Sequence, residues 1–198
     1  MARDAITSVR AALDVEAAPS SDFDLNPDVV LPKGRKLRAA GVLVPFIERG
    51  GQLRVILTMR SSALKHHPGQ IAFPGGKQDE GDADITTTAL READEEIGLL
   101  PQNVEVLGAL PIHETVTGFQ VTPVLGRVKA AFVPRVEAGE VAEVFEVPFA
   151  HLADPENYVV QTRHWRGQKR YYHTVPYGPY YIWGATARML FGLAKRMV

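Results

Sequence analysis

The chain has 198 residues, 45% of them hydrophobic, a formal net charge of -1 and no cysteine. That is enough chain for one domain with its own core. The charge argues against general attraction to nucleic acid or membrane surfaces, and the lack of cysteine excludes disulfides and thiolate metal sites.

"MARDAITSVRAALDVEAAP" has neither the long apolar core nor the cleavage site of a signal peptide, and predicts a short amphipathic helix. No segment approaches the ~18 apolar residues of a membrane span. The expectation is a soluble, cytoplasmic protein, monomeric or homodimeric, with no nucleic-acid or membrane partner. "APSSDFDLNPDVVLPKGRK" reads as an irregular arm, so residues 1–35 form a helix and arm and 36–198 the main domain.

"RAAGVLVPFIE" and "LRVILTMR" predict two strands around the turn "RGGQ". "SSALKHHPGQ" is a polar, basic loop, and "IAFPGG" a short strand entering a glycine turn. After the acidic loop "KQDEGDAD", Asp84 is placed to cap a helix over 85–97, and Gly98 to stop it. "NVEVLGALP" and "FQVTPVLGRV" predict strands separated by the loop "IHETVTG". "EVAEVFEVPF" predicts another, followed by a helical turn at "AHLAD". "YVVQTRHW" and "KRYYHTV" suit a hairpin, and "WGATARMLFGLAKRMV" an amphipathic helix with a basic end. Strands with interspersed helices suggest a layered, mixed α/β domain.

The stretch "LREADEEIG" carries Glu92, Asp94, Glu95 and Glu96. With Glu92 at zero on a helix, Glu96 lies about 40° to one side, Glu95 about 60° to the other, and Asp94 about 200° away. Leu90, Ala93 and Ile97 form the packing stripe beside them. A solvated acidic face is the commoner role of such charge. Here like charges at helical spacing repel one another, and Arg91 is the only adjoining cation. Converging carboxylates are what a hard divalent cation requires, since Mg2+ prefers oxygen ligands. The glycines of "FPGGK" suit a tight turn, or a backbone that comes close to a ligand.

Taken together, "GGKQDEGDADITTTALREADEEIGL" resembles the Nudix box, the signature of the Nudix hydrolase superfamily. Its core "READEEIGL" follows the family's Arg-Glu-apolar-x-Glu-Glu-x-Gly-apolar pattern, with Ala93 at the apolar position. The family's upstream Glu is represented by an Asp, for which Asp82 is favoured over the neighbouring Asp79, Glu80 and Asp84. The gap from Asp82 to Arg91 is one residue longer than usual. A second stretch, "ILTMRSSALKHHPGQIAFPGG", is similar to the additional motif of coenzyme A pyrophosphatases, with Ile56 for the first Leu and Lys65 for the usual Arg. The tail "IWGATARML" also resembles that subgroup.

The resemblance implies an α/β/α sandwich with a mixed sheet. It also implies hydrolysis of the diphosphate of coenzyme A or a derivative, using Mg2+ or Mn2+ to neutralise the diphosphate and lower the pKa of bound water. By the same resemblance Glu92, Glu95, Glu96 and the Gly75 carbonyl are metal ligands. Glu95 serves at the metal or on the attacking water, and Arg91 orients the glutamates, with Asp82 as the candidate link. Glu140 is the favoured further ligand or base, ahead of Glu143 and Glu114. Arg60, Lys65, His66, His67 and Lys77 are candidates for binding phosphate groups. Gln70 belongs to the same substrate motif, and with Phe73 it is also suited to shaping the turn and filling the core. Two alternatives stay open: another nucleoside diphosphate substrate such as ADP-ribose or a dinucleotide, and a catalytically silent nucleotide-binding module. Loss of box glutamates would mark the second, and this chain keeps all three.

Overall fold

The computed structural model describes residues 2–32, 34–64, 67–165 and 167–197. Helix α1 (Ala2–Leu13) leads into the arm, where β1 (Ser20–Ser21) already joins a sheet. The chain continues through β2 (Arg38–Arg49), β3 (Gln52–Arg60), β4 (Ile71–Ala72), β5 (Gly75–Lys77) and α2 (Ile85–Ile97). Then come β6 (Val104–Ala109), β7 (His113–Glu114), β8 (Phe119–Val128), β9 (Val141–Pro148) and α3 (Phe149–Leu152). A hairpin of β10 (Val159–Trp165) and β11 (Gln168–Thr174) precedes α4 (Gly184–Ala194).

Among the described residues the main sheet has nine strands and is mixed. β2 runs parallel to β8 along its length, from Arg38 opposite Phe119 to Phe46 opposite Arg127. Its other edge is shared. The end near the turn pairs with β3, from Phe46 opposite Val55, while Ala40, Gly41 and Val42 pair with β5. β3 therefore diverges from β2 and pairs on that edge with β4 instead, while its other edge pairs with β9. The segment from Ile71 to Lys77 is wedged into the resulting fork.

Alternation along the strands sorts side chains to two faces. Leu43 and Ile47 of β2, Ile56 of β3 and Val124 and Val128 of β8 pack with Ala89, Ala93 and Ile97 of α2. Val44 and Phe46, Val55 and Leu57, and Val121 and Leu125 face the opposite way, onto α1, α3 and α4. The result is an α/β/α sandwich, as the sequence predicts. Each fully buried apolar side chain in these layers contributes roughly 1.5–3 kcal/mol by leaving water.

The N-terminal segment shares this core. Ile6, Val9 and Ala12 of α1 lie in the same cluster as Phe46 and Leu57. The arm is less irregular than its composition suggests. Ser20 and Ser21 pair in parallel with His113 and Glu114, so the expected loop "IHETVTG" contains a short strand. Fully buried His113 accounts for the register, with Nδ1 2.9 Å from Ser20 Oγ and Nε2 3.1 Å from Asp22 Oδ1. Two-residue strands carry no hydrophobic pattern, which is why the sequence does not announce them.

Candidate active site

Helix α2 has the bounds its sequence predicts. Asp84 Oδ1 accepts from Thr87 N–H at 2.7 Å, and Gly98 ends the helix in the left-handed conformation, φ 71°. The helix lies unusually close to the sheet because two glycines face it. Gly41 of β2 and Gly76 of β5 are direct cross-strand neighbours. A Cβ on Gly41 would stand 2.5 Å from the Ile85 carbonyl oxygen, and one on Gly76 2.5 Å from the Glu92 carboxylate. A side chain on Gly41 would meet the helix backbone, and one on Gly76 would have to displace the Glu92 carboxylate.

This close approach divides the acidic face. Glu96 is 4% exposed, a member of the buried set with Ala89, Ala93 and Ile97 rather than of a solvated stripe. Its Oε2 accepts from Gly75 N–H at 3.3 Å. Burial, and then the neighbouring charges of Glu92 and Glu140, push the Glu96 carboxyl up to about 8, against smaller opposing contributions from the Gly75 hydrogen bond and Arg60. Burial also raises Glu92, with Arg91 opposing it. The Glu95 side chain, by contrast, remains 59% exposed.

Arg91 sits at the centre of the arrangement. Its Nε and Nη2 donate in a fork to the two oxygens of Asp82, each at 3.0 Å. Nη1 donates to Glu92 Oε1 and Glu95 Oε2, both at 2.9 Å, and Nη2 reaches the Lys77 carbonyl at 3.4 Å. Of the loop acids, Asp82 is the one in the fork; Asp79 is 3.7 Å away. Asp82 Oδ2 also accepts from the Asp79 amide at 3.0 Å and from Thr88 Oγ1 at 2.9 Å. With Arg91 as the largest cause, the Asp82 carboxyl is held far below the usual carboxylate range. Thr88 was not singled out from the sequence, because its link to Asp82 runs across the helix cap and has no spacing signature.

The other sequence candidates divide by location. Arg60, at the end of β3, and Glu140, just before β9, both act electrostatically on Glu96. The backbone joins them to one another, since Ser61 N–H donates to the Glu140 carbonyl at 2.8 Å. The loop leading to Glu140 is held on α2, with Arg135 N–H on the Ile97 carbonyl and Glu137 N–H on the Glu96 carbonyl. Glu143 instead accepts from Tyr180 O–H at 2.5 Å, and Glu114 pairs with Arg35. The basic loop after β3 is closed at its base by Gly69 N–H to the Arg60 carbonyl and Arg60 N–H to the Gln70 carbonyl, both at 3.0 Å. His67 lies on this loop with a positive φ of 56°, and Lys77 is exposed on β5. Lys65 and His66 lie outside the described residues. Gln70 reaches the start of α4, where its Nε2 is 3.8 Å from the position of a Cβ on Gly184.

Among the described residues no three Asp, Glu or His side chains already converge on one point as ligands. Arg91 occupies Glu92 and Glu95, while Glu96 turns to Gly75. The donor set nevertheless fits a hard divalent cation. It is made of oxygens, and positive charge would relieve the repulsion from Glu92 and Glu140 that adds to the effect of burial on Glu96. Gly76→Ala tests the glycine contact, since the added methyl must displace the Glu92 carboxylate. Mn2+ titration followed by electron paramagnetic resonance is expected to show affinity weakened about 10–100-fold, with the far-ultraviolet dichroism retained.

The helix of carboxylates against a diglycine strand, cross-braced by an arginine, is the part of the fold that carries the resemblance to the Nudix box. The family model for the NUDIX domain matches residues 37–174, and the chain belongs to the Nudix hydrolase family. It is 41% identical over 177 residues to the uncharacterized Nudix hydrolase NudL of Salmonella dublin, covering 89% of this chain and 92% of that one. The Escherichia coli NudL is 41% identical over 160 residues, 81% of this chain and 83% of that one. Among solved structures, a MutT protein from Methanosarcina mazei Go1 superposes with a TM-score of 0.52 at 17% identity, over 83% of this chain and 97% of the other. A MutT/nudix family protein from Enterococcus faecalis gives 0.51 at 16%, over 99% and 74%. These structures share the fold.

Proposed function

We propose that this chain hydrolyses the diphosphate linkage of coenzyme A or a derivative in a divalent-cation-dependent reaction, giving 4'-phosphopantetheine, or its acyl form, and adenosine 3',5'-bisphosphate. The observation that carries the reading is the meeting of two motifs in one place. Arg60, which opens the basic loop of the coenzyme A-type motif, acts on Glu96, the most deeply buried acid of the Nudix helix.

In this reading Glu92, Glu95 and Glu96 would hold Mg2+ or Mn2+ together with the Gly75 carbonyl. The bound cation supplies neutralisation of the diphosphate and acidification of water. The chain's own residues do the rest. Glu96 would be a ligand in its deprotonated form. Arg91, fixed by Asp82, sets the directions of Glu92 and Glu95. Glu95, or Glu140 from the segment before β9, would accept the proton of the attacking water. Arg60 offers a forked contact to a phosphate, with Lys77, His67 and Lys65 as further cations and Gln70 shaping the loop.

The test is a panel of coenzyme A, acyl-coenzyme A, oxidised coenzyme A, ADP-ribose and a dinucleoside polyphosphate, assayed with Mg2+ and with Mn2+. Coenzyme A or one of its derivatives is expected to have the highest kcat/KM. Faster turnover of ADP-ribose or of the dinucleotide than of any coenzyme A compound would overturn the substrate assignment. No turnover of any of them would overturn the activity.

A further inference from the structure

The hairpin of β10 and β11 stands apart from the main sheet, and its charge departs from that of the chain. Residues 159–174 contain Arg163, Arg166, Lys169 and Arg170 and no acid, in a protein whose net charge is -1. Cross-strand register places Gln161 opposite Tyr172 and Arg163 opposite Arg170. Alternation puts these four on one face. Two arginines directly opposite each other repel across a strand pair.

Aromatic side chains from the segment before α4 meet this same face. Trp183 bridges to Thr174 through the backbone. Its ring lies 5.2 Å from that of Tyr172, and the Arg163 guanidinium sits over it at 4.4 Å. Tyr181 O–H donates to Gln161 Oε1 at 2.5 Å and stands 3.4 Å from the Tyr172 hydroxyl. Tyr181 is 41% exposed. The face thus combines π surfaces, hydroxyls and guanidinium groups, the chemistry that holds a nucleobase by stacking and a phosphate by forked donation.

The platform adjoins the base of the basic loop after β3. Trp183 immediately precedes Gly184, against which the Gln70 amide packs. Gln70 ends the loop that Arg60 begins beside Glu96. α4 is tied to the same segment by Thr186 Oγ1, which donates to the Ile71 carbonyl at 3.1 Å.

We propose that Arg163, Arg170, Tyr172, Tyr181 and Trp183 form the recognition surface for the nucleoside end of the substrate, a purine stacked on the aromatic rings with a ribose-borne phosphate on the arginines. This rests on the reading that the substrate is a purine nucleoside diphosphate derivative, and it names residues outside both sequence motifs as determinants of specificity. The test compares coenzyme A with dephospho-coenzyme A, which differs only in lacking the ribose phosphate. Arg163→Gln is expected to lower the kcat/KM preference for coenzyme A over dephospho-coenzyme A about tenfold, mainly through KM. Lys169→Gln, on the other hairpin face, keeps the preference. A preference unchanged in Arg163→Gln, or equally reduced in Lys169→Gln, would overturn the phosphate assignment.

Binding is read separately and without turnover, in a Trp165→Phe background where Trp183 is the one tryptophan. Adenosine 3',5'-bisphosphate is expected to quench its fluorescence saturably, and more tightly than AMP. Absence of quenching would overturn the stacking. If coenzyme A is not hydrolysed but the quenching is present, the catalytic reading fails and the platform stands. If coenzyme A is hydrolysed with no quenching and no change in preference, the reverse holds.

Discussion

Glu96→Gln is expected to reduce hydrolysis on the order of 10³-fold in kcat while making the cation-free protein more stable at alkaline pH. Both effects have one cause. Glu96 is 4% exposed and keeps its proton to about 8, whereas the ordinary value is 4.5. Between those values the unfolded chain releases this proton and the folded chain retains it. Its stabilising contribution is therefore complete below pH 4.5 and lost as pH rises through about 8. The amount at stake is on the order of 5 kcal/mol. Gln mimics the protonated acid in shape and has no proton to lose, so the variant avoids that loss. It also cannot supply the anionic oxygen that a divalent cation requires, and metal-based charge stabilisation is worth several kcal/mol in a transition state.

Thermal melts between pH 5 and 9, with chelator and with Mg2+, check this. The parent protein without cation should lose stability toward pH 9 and regain it on adding Mg2+, since binding expels the proton. The variant should show a flatter pH profile and little response to Mg2+. Hydrolysis at the parent rate in Glu96→Gln would refute the ligand assignment. A parent melting point unaffected by pH and chelator would refute the burial argument.

Arg91→Lys is expected to cost about 10²-fold in kcat/KM although the charge is retained. The guanidinium uses both ends of its fork on Asp82 while its remaining nitrogen holds Glu92 and Glu95. An ammonium is a single point and cannot span the three. Asp82→Asn should have a similar effect, because the fork loses its charge partner. The double variant should be little worse than either single one, since both remove the same brace. Additive losses would mean that the two residues act separately. An Arg91→Lys enzyme with the parent's Mn2+ affinity and turnover would show that the brace is not needed.

Much of this molecule is legible in its local sequence. The bounds of α2, its Asp84 cap and its Gly98 stop follow from patterns a few residues long. So do β8 and the two-face alternation of β2 and β3. The Nudix box is legible for the same reason: Glu92, Glu95 and Glu96 come together because one helix period brings them together. The short strands β1 and β7 are not, because two residues carry no periodicity and Ser20 is held to His113 from 93 positions away in the chain.

Within the site, the sequence by itself determined which acids share a helix face and that Arg91 stands among them. Only the tertiary structure decided how differently those acids behave. Helical angle is a local property, but depth below the surface is not. Gly41 and Gly76 let α2 approach the sheet, and that approach buries Glu96, half-buries Glu92 and leaves Glu95 in water. The same long-range packing chose Asp82 among four nearby acids and turned Glu143 to Tyr180. It also brought Arg60 and Glu140 to Glu96 from segments that no spacing rule connects.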